Sequence, residues 1–463
     1  MFSPLPDLSR VFVWSLLEVP IPTDSNWEVH RLAGHSATIV NSSPPARHAI
    51  VRGTMSAPTK RDYVWNTLGV LLQNALSPLI LVVISRENGL VAVGSFAFAF
   101  SVSIMFWAIG MWGGRTYQVS DTRGEFADAS YIVARLALAA CILVGSWIFC
   151  LANSYDRQKT SLIVVLVLFK AIESIADGLY GVLQVHGKLY IAGRSLAYKA
   201  VLGILTFTLV NLLTRDLVLA SLGLVMANVV VSLVYDLPRL MGVATIHIDR
   251  HELRSVVTIL RRSLPVFIAS FLAMFSLNIP RYFIDVFHNE QNGYFGILAM
   301  PITLILLVMT FLLQPNVLRI SQLYASGKRQ EMRRLVLSLT ALTAVVGGAI
   351  VLAAFLVGVP LLKAVFGSDF SPYRAELVVI TVGAVLNALV SVGIALLTIV
   401  RRFGGQLVMQ LSTNITLAIL SYIAIKDYGM TAGVWLFLGI SGIQCVTVLV
   451  LYGSAIAEKV SHD

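Results

Sequence analysis

Charged residues are scarce in this sequence: Asp, Glu, Lys and Arg make up 13% of its 463 residues. Soluble globular proteins average about 25%. Because hydrophobic residues make up 57%, there are too few charges to cover the surface of several soluble domains. The scarcity therefore excludes a soluble multidomain protein. Apolar runs long enough to cross a hydrocarbon core of ~30 Å recur along the chain and indicate a polytopic membrane protein.

Cysteine is scarce as well, and the common catalytic motifs are missing. Cys141, Cys150 and Cys445 all lie in apolar runs, and their spacing fits neither a metal site nor a disulfide framework. The sequence has no GxxxxGK(S/T) phosphate loop and no HExxH or GxSxG pattern. We therefore expect no cofactor, no metal site, no catalytic residue and no enzymatic activity. No basic stretch carries interleaved aromatic residues, so the net charge of +10 does not indicate nucleic acid.

Twelve apolar runs are present, and each predicts a transmembrane helix because an open strand cannot satisfy its backbone in lipid. Their approximate ranges are 64–85, 90–112, 130–152, 160–182, 196–214, 217–235, 258–280, 293–315, 335–357, 376–400, 406–425 and 431–455. The predicted fold class is an all-α polytopic membrane protein with about twelve transmembrane helices.

A repeated spacing divides the twelve runs into two sixes. Gly89 precedes the second run and Arg115 follows it, while Gly293 and Arg319 flank the eighth run at the same separation of 26 residues. An even number of spans per half makes the halves parallel repeats about an axis along the membrane normal. We therefore expect two six-helix bundles around a central cavity.

The predicted domain boundaries follow from this division. Residues 56–240 form the N-terminal bundle, residues 241–257 a cytoplasmic connecting loop, and residues 258–463 the C-terminal bundle. Residues 1–55 are rich in Pro and Ser and contain no run long enough to span. They are interpreted as a disordered or an artefactual extension, the latter if translation starts at Met55.

The distribution of Lys and Arg predicts the orientation of the chain. If the N-terminus is cytoplasmic, the cytoplasmic segments carry 21 Lys and Arg residues and the opposite side carries eight. This asymmetry places both termini in the cytoplasm.

The fourth run carries three charges on one helix face. Lys170, Glu173 and Asp177 stand at positions i, i+3 and i+7. Charges at membrane depth are costly and normally face a bundle interior or a wet cavity. The functional interpretation is a cavity wall that binds an ion, a proton or a polar headgroup. The alternative is a Lys170–Glu173 pair that neutralises itself and only orients the helix, with Asp177 near an interface.

Three arginines are further candidates for binding an anion. Arg135 in the third run could hold a phosphate, or it could reach the headgroups or pair with Asp128 on the same face. Arg115 ends the second run, where a role in topology competes with a role in binding. Arg281 and Asp285 stand at i, i+4 at the end of the seventh run, so a local ion pair competes with ligand binding.

Five segments resemble bacterial polysaccharide-biosynthesis flippases, which share a superfamily with multidrug/toxin extruders and lipid II flippases. The segments are GGRTYQVSD (113–121), FKAIESIADGLYGVLQ (169–184), GKLYIAGRSL (187–196), NIPRYFID (278–285) and GYFGILAMP (293–301). The resemblance covers about residues 60–455 and leaves the N-terminal segment unmatched.

The resemblance implies a flippase of the bacterial inner membrane that works by alternating access. Its substrate would be an undecaprenyl-diphosphate-linked repeat unit for O antigen, capsule or exopolysaccharide, and its partners would include membrane lipid, a polysaccharide polymerase and chain-length proteins. The implied substrate-binding residues are Lys170, Arg135, Arg115 and Arg281, and the implied sites for a coupling proton or Na⁺ are Asp177 and Glu173.

A nearby cation favours the ionised form of a carboxylate, and Lys170 lies closer to Glu173 than to Asp177 in the sequence. Asp177 is therefore the carboxylate expected to carry the coupling proton or Na⁺. An ion-coupled small-molecule extruder of the same superfamily is the alternative function, and a polysaccharide polymerase is a weaker one because the outer loops are short.

The charge asymmetry yields a prediction for topology. A reporter fused after residue 455, and one inserted between residues 236 and 257, are expected to be active only in the cytoplasm. Periplasmic activity at either position would overturn the assignment of spans.

Overall fold

The computed structural model describes residues 59–121, 125–243, 250–400 and 402–462, and its long elements there are all helices. The interpretation of residues 1–55 as an extension lies outside the described residues. The first described helix begins where Thr59 caps it: the Thr59 side chain accepts from the backbone N–H of Asp62, and the Asp62 carboxylate accepts from the backbone N–H of Thr59 at 2.9 Å.

Fifteen α-helices follow one another in the described part of the chain. They are α1 (Lys60–Glu87), α2 (Leu90–Met111), α3 (Gly114–Ser120), α4 (Asp128–Ala152), α5 (Arg157–Val185), α6 (Leu189–Thr214), α7 (Leu217–Val231), α8 (Leu237–Met241), α9 (Arg250–Phe287), α10 (Asn292–Leu298), α11 (Met300–Ala325), α12 (Arg329–Ala353), α13 (Val359–Phe366), α14 (Arg374–Ile399) and α15 (Phe403–His462). A π-helical turn joins α7 to α8 (Ser232–Asp236), and another joins α12 to α13 (Ala354–Gly358).

The predicted all-α fold with twelve membrane crossings is confirmed. Ten segments of the described chain are long and apolar enough to cross a membrane. Helix α5 is not among them, because its central residues include the three charges of the 170–177 face. Helix α15 is counted as one of the ten segments. Gly429 (φ 59°, ψ −147°) interrupts it, so that its two halves cross the membrane separately. With α5 and the second half of α15, the ten segments become twelve crossings.

Three local expectations need correction. The 241–257 loop is shorter than predicted, since α9 already begins at Arg250. Helix α9 also continues past Pro280 to Phe287, although a proline inside a helix removes a backbone hydrogen bond and commonly ends the helix. The ninth predicted span, 335–357, ends too early: a π-helical turn joins α12 to α13, so that the span extends to Phe366.

The helices pack as two bundles of six spans. In the first bundle, α1 packs on α6, α6 on α7, and both α2 and α4 on α5. In the second, α9 and α14 pack on α15, while α11 and α12 pack on α14. Glycine permits the closest crossing: a Cβ placed on Gly69 of α1 would lie 2.2 Å from the carbonyl oxygen of Gly193 in α6.

The two bundles meet mainly along α2, which contacts α9 and α10 of the second bundle. At the end of α2 nearer the termini, the Trp112 indole stacks on Phe267 at 3.9 Å and donates to the carbonyl oxygen of Leu260 at 3.0 Å. At the other end, Gly94 lies against Gly293, whose nitrogen would be 2.8 Å from a Cβ on Gly94. The bundles are therefore in contact at both membrane faces on this side.

A second set of contacts joins the bundles on the face opposite the termini. The Ser85 hydroxyl and the Arg86 Nε of α1 donate to the carbonyl oxygens of Phe366 and Val365 at the end of α13, each at 2.8 Å. The Lys159 Nζ of α5 pairs with the Asp285 carboxylate of α9 at 2.5 Å. These contacts close this face between the bundles.

The α1–α6 crossing yields a stability prediction. Gly193→Ala would place a methyl group 2.4 Å from the backbone of Trp65, so the helices must separate, at a cost of roughly 1–3 kcal/mol. A lower unfolding temperature of the purified protein is expected. Gly348→Ala in α12 is the matched control, because open space surrounds that position. An equal effect of both substitutions would show that the crossing does not limit stability.

Candidate functional site

A polar cluster lies where α5 faces α1 and α2. The Lys170 Nζ lies 2.6 Å from Glu173 Oε2, and Glu173 Oε1 accepts a hydrogen bond from the Gln73 amide of α1. The Lys170 and Glu173 side chains are each 11% exposed. The pairing within α5 that the sequence spacing predicts is present, and Gln73 extends it to a second helix.

Aromatic rings surround the ammonium group of this cluster. The Lys170 Nζ lies 4.9 Å from the ring centre of Phe169, 5.0 Å from that of Phe100 and 5.7 Å from that of Trp107. Phe100 and Trp107 are seven residues apart, so they lie on one face of α2. A cation among aromatic rings is attracted by their negative faces, which helps to hold a charge at this depth.

Two buried polar atoms of the cluster have no hydrogen-bond partner among the residues that the structure describes: Gln73 Oε1, an acceptor, and Trp107 Nε1, a donor. A buried polar atom without a partner costs about 1–3 kcal/mol. With Lys170 and Glu173, these atoms offer both donors and acceptors beside aromatic faces. The arrangement suits a hydroxyl-rich ligand that also carries a charged group.

Asp177, the third charge of the 170–177 face, belongs to a second cluster. Asp177 Oδ2 lies 3.0 Å from Arg135 Nη2 of α4, and Asp177 Oδ1 lies 3.4 Å from Arg115 Nη1 of α3. The Arg115 Nε also donates to Gln184 Oε1 at 3.0 Å. Two arginines and one carboxylate therefore tie α3, α4 and α5 together.

Arg135 is the most enclosed member of this second cluster, with 4% of its side chain exposed. Besides pairing with Asp177, its guanidinium donates to the carbonyl oxygen of Gly110 at 2.8 Å and to that of Met111 at the end of α2. Carbonyls at a helix C-terminus have no partner within the helix and carry partial negative charge. Arg135 thus caps α2.

These contacts bear on two predictions that remain untested. A proton or Na⁺ at Asp177, the predicted ion carrier, would have to compete with two arginines. A phosphate at Arg135 would have to compete with Asp177 and with the carbonyl oxygens at the end of α2. Of the residues proposed from the sequence, Lys170 and Glu173 remain together in the polar cluster.

Arg281 lies apart from both clusters, on the other side of α2. Its Nη1 donates to the Ser101 hydroxyl and, at 3.4 Å, to the carbonyl oxygen of Ala97. Of the two alternatives left open for Arg281, the local ion pair is not the one observed, since Asp285 pairs with Lys159. Arg281 forms no ion pair within the described part of the chain.

Three residues of the observed contacts were missed in the sequence. Gln73 is a polar residue inside an apolar run, which is a signal that could have been used. Trp107 has no such signal, because aromatic residues are common in membrane helices. Lys159 counted only toward topology, since its approach to Asp285 in α9 cannot be read from either segment alone.

The second cluster yields a stability prediction. Asp177→Asn would leave Arg115 and Arg135 without their carboxylate, and removing one partner of a buried pair costs roughly 3–5 kcal/mol. A clearly lower unfolding temperature is expected. Glu331→Gln, which breaks the exposed Lys328–Glu331 pair, is the control and is expected to change little. Unchanged stability of Asp177→Asn would mean that this carboxylate is free to serve a ligand.

Comparisons with known proteins agree with the architecture. No family model matches the chain. The chain is 23% identical over 308 residues to the capsular polysaccharide biosynthesis protein CapF of Staphylococcus aureus. The match covers 66% of this chain and 76% of that protein.

Solved transporters have a similar fold. The MATE multidrug transporter DinF-BH matches with a TM-score of 0.62 and 18% identity, over 86% of this chain and 96% of that one. An inward-facing multidrug resistance MATE family transporter of the MOP superfamily matches with a TM-score of 0.59 and 16% identity, over 88% and 96% of the two chains. The chain is therefore a multi-pass membrane protein with the two-bundle, twelve-helix fold of the MATE transporters.

Proposed function

We propose that this protein flips an undecaprenyl-diphosphate-linked oligosaccharide across the bacterial inner membrane for O-antigen, capsule or exopolysaccharide synthesis. The observation that carries the proposal is the cluster of Lys170, Glu173 and Gln73 beside Trp107, inside a membrane span. Its unpartnered donor and acceptor atoms fit sugar hydroxyls, and its ammonium group fits the charge of a diphosphate. Hydroxyls and phosphates both need such partners wherever hydrocarbon replaces water.

The two-bundle fold supports transport by alternating access. Contacts between the bundles at the two membrane faces would form and break in turn as one bundle rocks against the other. On the face opposite the termini the contacts between described residues include hydrogen bonds, the Lys159–Asp285 ion pair and a glycine contact. The hydrogen bonds are each weak enough to be exchanged during a transport cycle. The ion pair is largely buried, with side chains 19% and 1% exposed, so its charges would have to be hydrated or paired anew when this face opens.

The relative from Staphylococcus aureus, a capsular polysaccharide biosynthesis protein by name, supports a polysaccharide substrate. A polysaccharide polymerase and chain-length proteins are the partners that such a role would require. With the termini in the cytoplasm, the charged loops of the cytoplasmic side would face the compartment in which the glycan is built.

Small-molecule extrusion is the second candidate function, and two observations favour it. The solved structures of similar fold include multidrug transporters. A crevice lined by Phe98, Phe106, Phe149, Phe271 and Phe275 also lies between the bundles. Against an extruder of organic cations stands the uncompensated Arg281 beside that crevice, because a fixed positive charge repels such a substrate.

Ion coupling is proposed at Glu173 rather than at Asp177. Glu173 has one neutral and one charged partner, Gln73 and Lys170. Asp177 has two arginine partners. One charge that moves through a potential of 100 mV releases about 2.3 kcal/mol, which is sufficient to bias alternating access.

The flippase proposal is tested by Lys170→Ala and Glu173→Gln in a strain that lacks its own copy of the gene. Both variants are expected to reach the membrane at normal levels but to stop the appearance of surface glycan, because the polar cluster would lose its charge pair. Lys328→Ala, an exposed loop variant, is the control.

The same strains are tested for resistance to cationic dyes. The extruder function would replace the flippase function if the wild type confers resistance, both variants lose it, and every strain makes normal surface glycan. Normal glycan and unchanged resistance in both variants would remove the polar cluster from either function.

A further inference from the structure

A crevice of about 280 Å³ lies between the two bundles, on the side of α2 that faces away from the polar cluster. Val102, Met105 and Ile109 line it from α2, and they stand roughly opposite Phe100 and Trp107 around the helix. Phe149 of α4 and Ala418 of α15 form its flanks. Helix α2 therefore separates a polar site from an apolar one.

The crevice has the length and direction of a lipid chain in one leaflet. Its α9 wall extends from Phe271 to Phe283, and a helix rises 1.5 Å per residue, so the wall is roughly 18 Å long. Half of a hydrocarbon core is about 15 Å. Phe283 lies near the end of α9 on the face opposite the termini, and Phe271 lies deeper in the membrane. A chain in the crevice would thus run from that face toward the membrane centre.

The flanks of the crevice border the surface that faces lipid. Ile148 lies beside Phe149 and is 59% exposed, and Ile419 lies beside Ala418 and is 55% exposed. Large apolar side chains with this exposure are stable in a spanning helix only against lipid. A lipid chain could therefore enter the crevice sideways from the bilayer.

Arg281 stands on the wall of the crevice, toward the face opposite the termini. Within the described chain it forms no ion pair: it contacts the neutral Ser101 and Ala97 and the Phe295 ring at 5.5 Å. Its Nε is buried and has no hydrogen-bond partner among the described residues. Asp285, the carboxylate one turn away, pairs with Lys159. A partly buried cation without a counter-charge is unfavourable unless an anion joins it.

We propose that this crevice binds the hydrocarbon chain of a lipid phosphate and that Arg281 holds its phosphate group. The planar guanidinium, with a free Nε, suits a phosphate, and the aromatic and aliphatic walls suit the chain. The occupant is the lipid end of the flipped substrate, on the face of the membrane where it is released. This assignment rests on the proposed flippase function for the identity of the lipid, whereas the site itself rests on the crevice and on Arg281.

The test measures binding of undecaprenyl phosphate, a lipid phosphate without sugar, to the purified full-length protein in detergent. Wild type is expected to bind it. Arg281→Gln is expected to weaken binding at least tenfold, whereas Arg281→Lys keeps part of the affinity because it retains the charge but not the fork. Ala418→Phe is expected to weaken binding by filling the crevice from its edge. Arg374→Gln is the control, since Arg374 is an exposed arginine on the same face.

A thermal unfolding measurement separates binding from a structural role. Arg281→Gln removes a charge that has no counter-charge, so the unfolding temperature without lipid is expected to stay the same or to rise. If Arg281 served only to hold α9 to α2, the unfolding temperature would fall. A fall, or equal lipid binding in Arg281→Gln and wild type, would overturn the proposal.

Two competitors identify the source of the phosphate. Inorganic phosphate is expected not to displace the lipid, because it lacks the hydrocarbon chain. Displacement by inorganic phosphate would show that the site binds only an anion and would overturn the crevice assignment. Phosphatidylglycerol at the same concentration is expected to compete poorly, and equal competition would assign the crevice to a resident phospholipid instead. Because the probe has no sugar, loss of glycan export in the Lys170 variants and loss of lipid binding in the Arg281 variants are independent outcomes.

Discussion

A charge inside the membrane must be neutralised by the protein, because water is not there to do it, and this constraint organises the molecule. Within the described chain, four ion pairs provide this neutralisation in the spanning region. They are Lys170–Glu173, Arg135–Asp177, Lys159–Asp285 and Lys199–Asp236. Three of the four join different helices or helical segments, so the need for neutralisation also sets helix positions. Arg281 forms no ion pair with any described residue, and its place on the wall of the apolar crevice points to a ligand.

Helix α2 is the structural element on which the proposed transport depends. One face places Phe100 and Trp107 around the Lys170 ammonium group, and the opposite face lines the apolar crevice. Arg135 caps its end nearer the termini, and Gly94 brings its other end against the second bundle. An amphipathic substrate needs a polar and an apolar environment at the same time. A helix shared by both environments would couple recognition of the two parts of such a substrate to the movement of the bundles.

The contacts between the bundles suit a molecule that changes conformation. They are short-range and local, such as the Trp112–Phe267 stack on one face and the Arg86 hydrogen bonds to α13 on the other. The Lys199–Asp236 pair, by contrast, lies within the first bundle and is almost fully enclosed, with side chains 2% and 0% exposed. Strong interactions inside a bundle and exchangeable ones between bundles allow each bundle to move as a rigid unit.

The sequence by itself determined the twelve spans and the Lys170–Glu173 pair. Hydrophobic length defines a membrane helix, and helical periodicity brings residues three or four apart together. Periodicity did not predict the partners of Asp177, which are 42 and 62 residues away. It left open a pair between Arg281 and Asp285, whereas Asp285 binds Lys159 at a separation of 126 residues. Only the tertiary structure decided these contacts, because the partner of a charge in a bundle depends on which helix face packs against it, and packing is set by the shapes of distant segments.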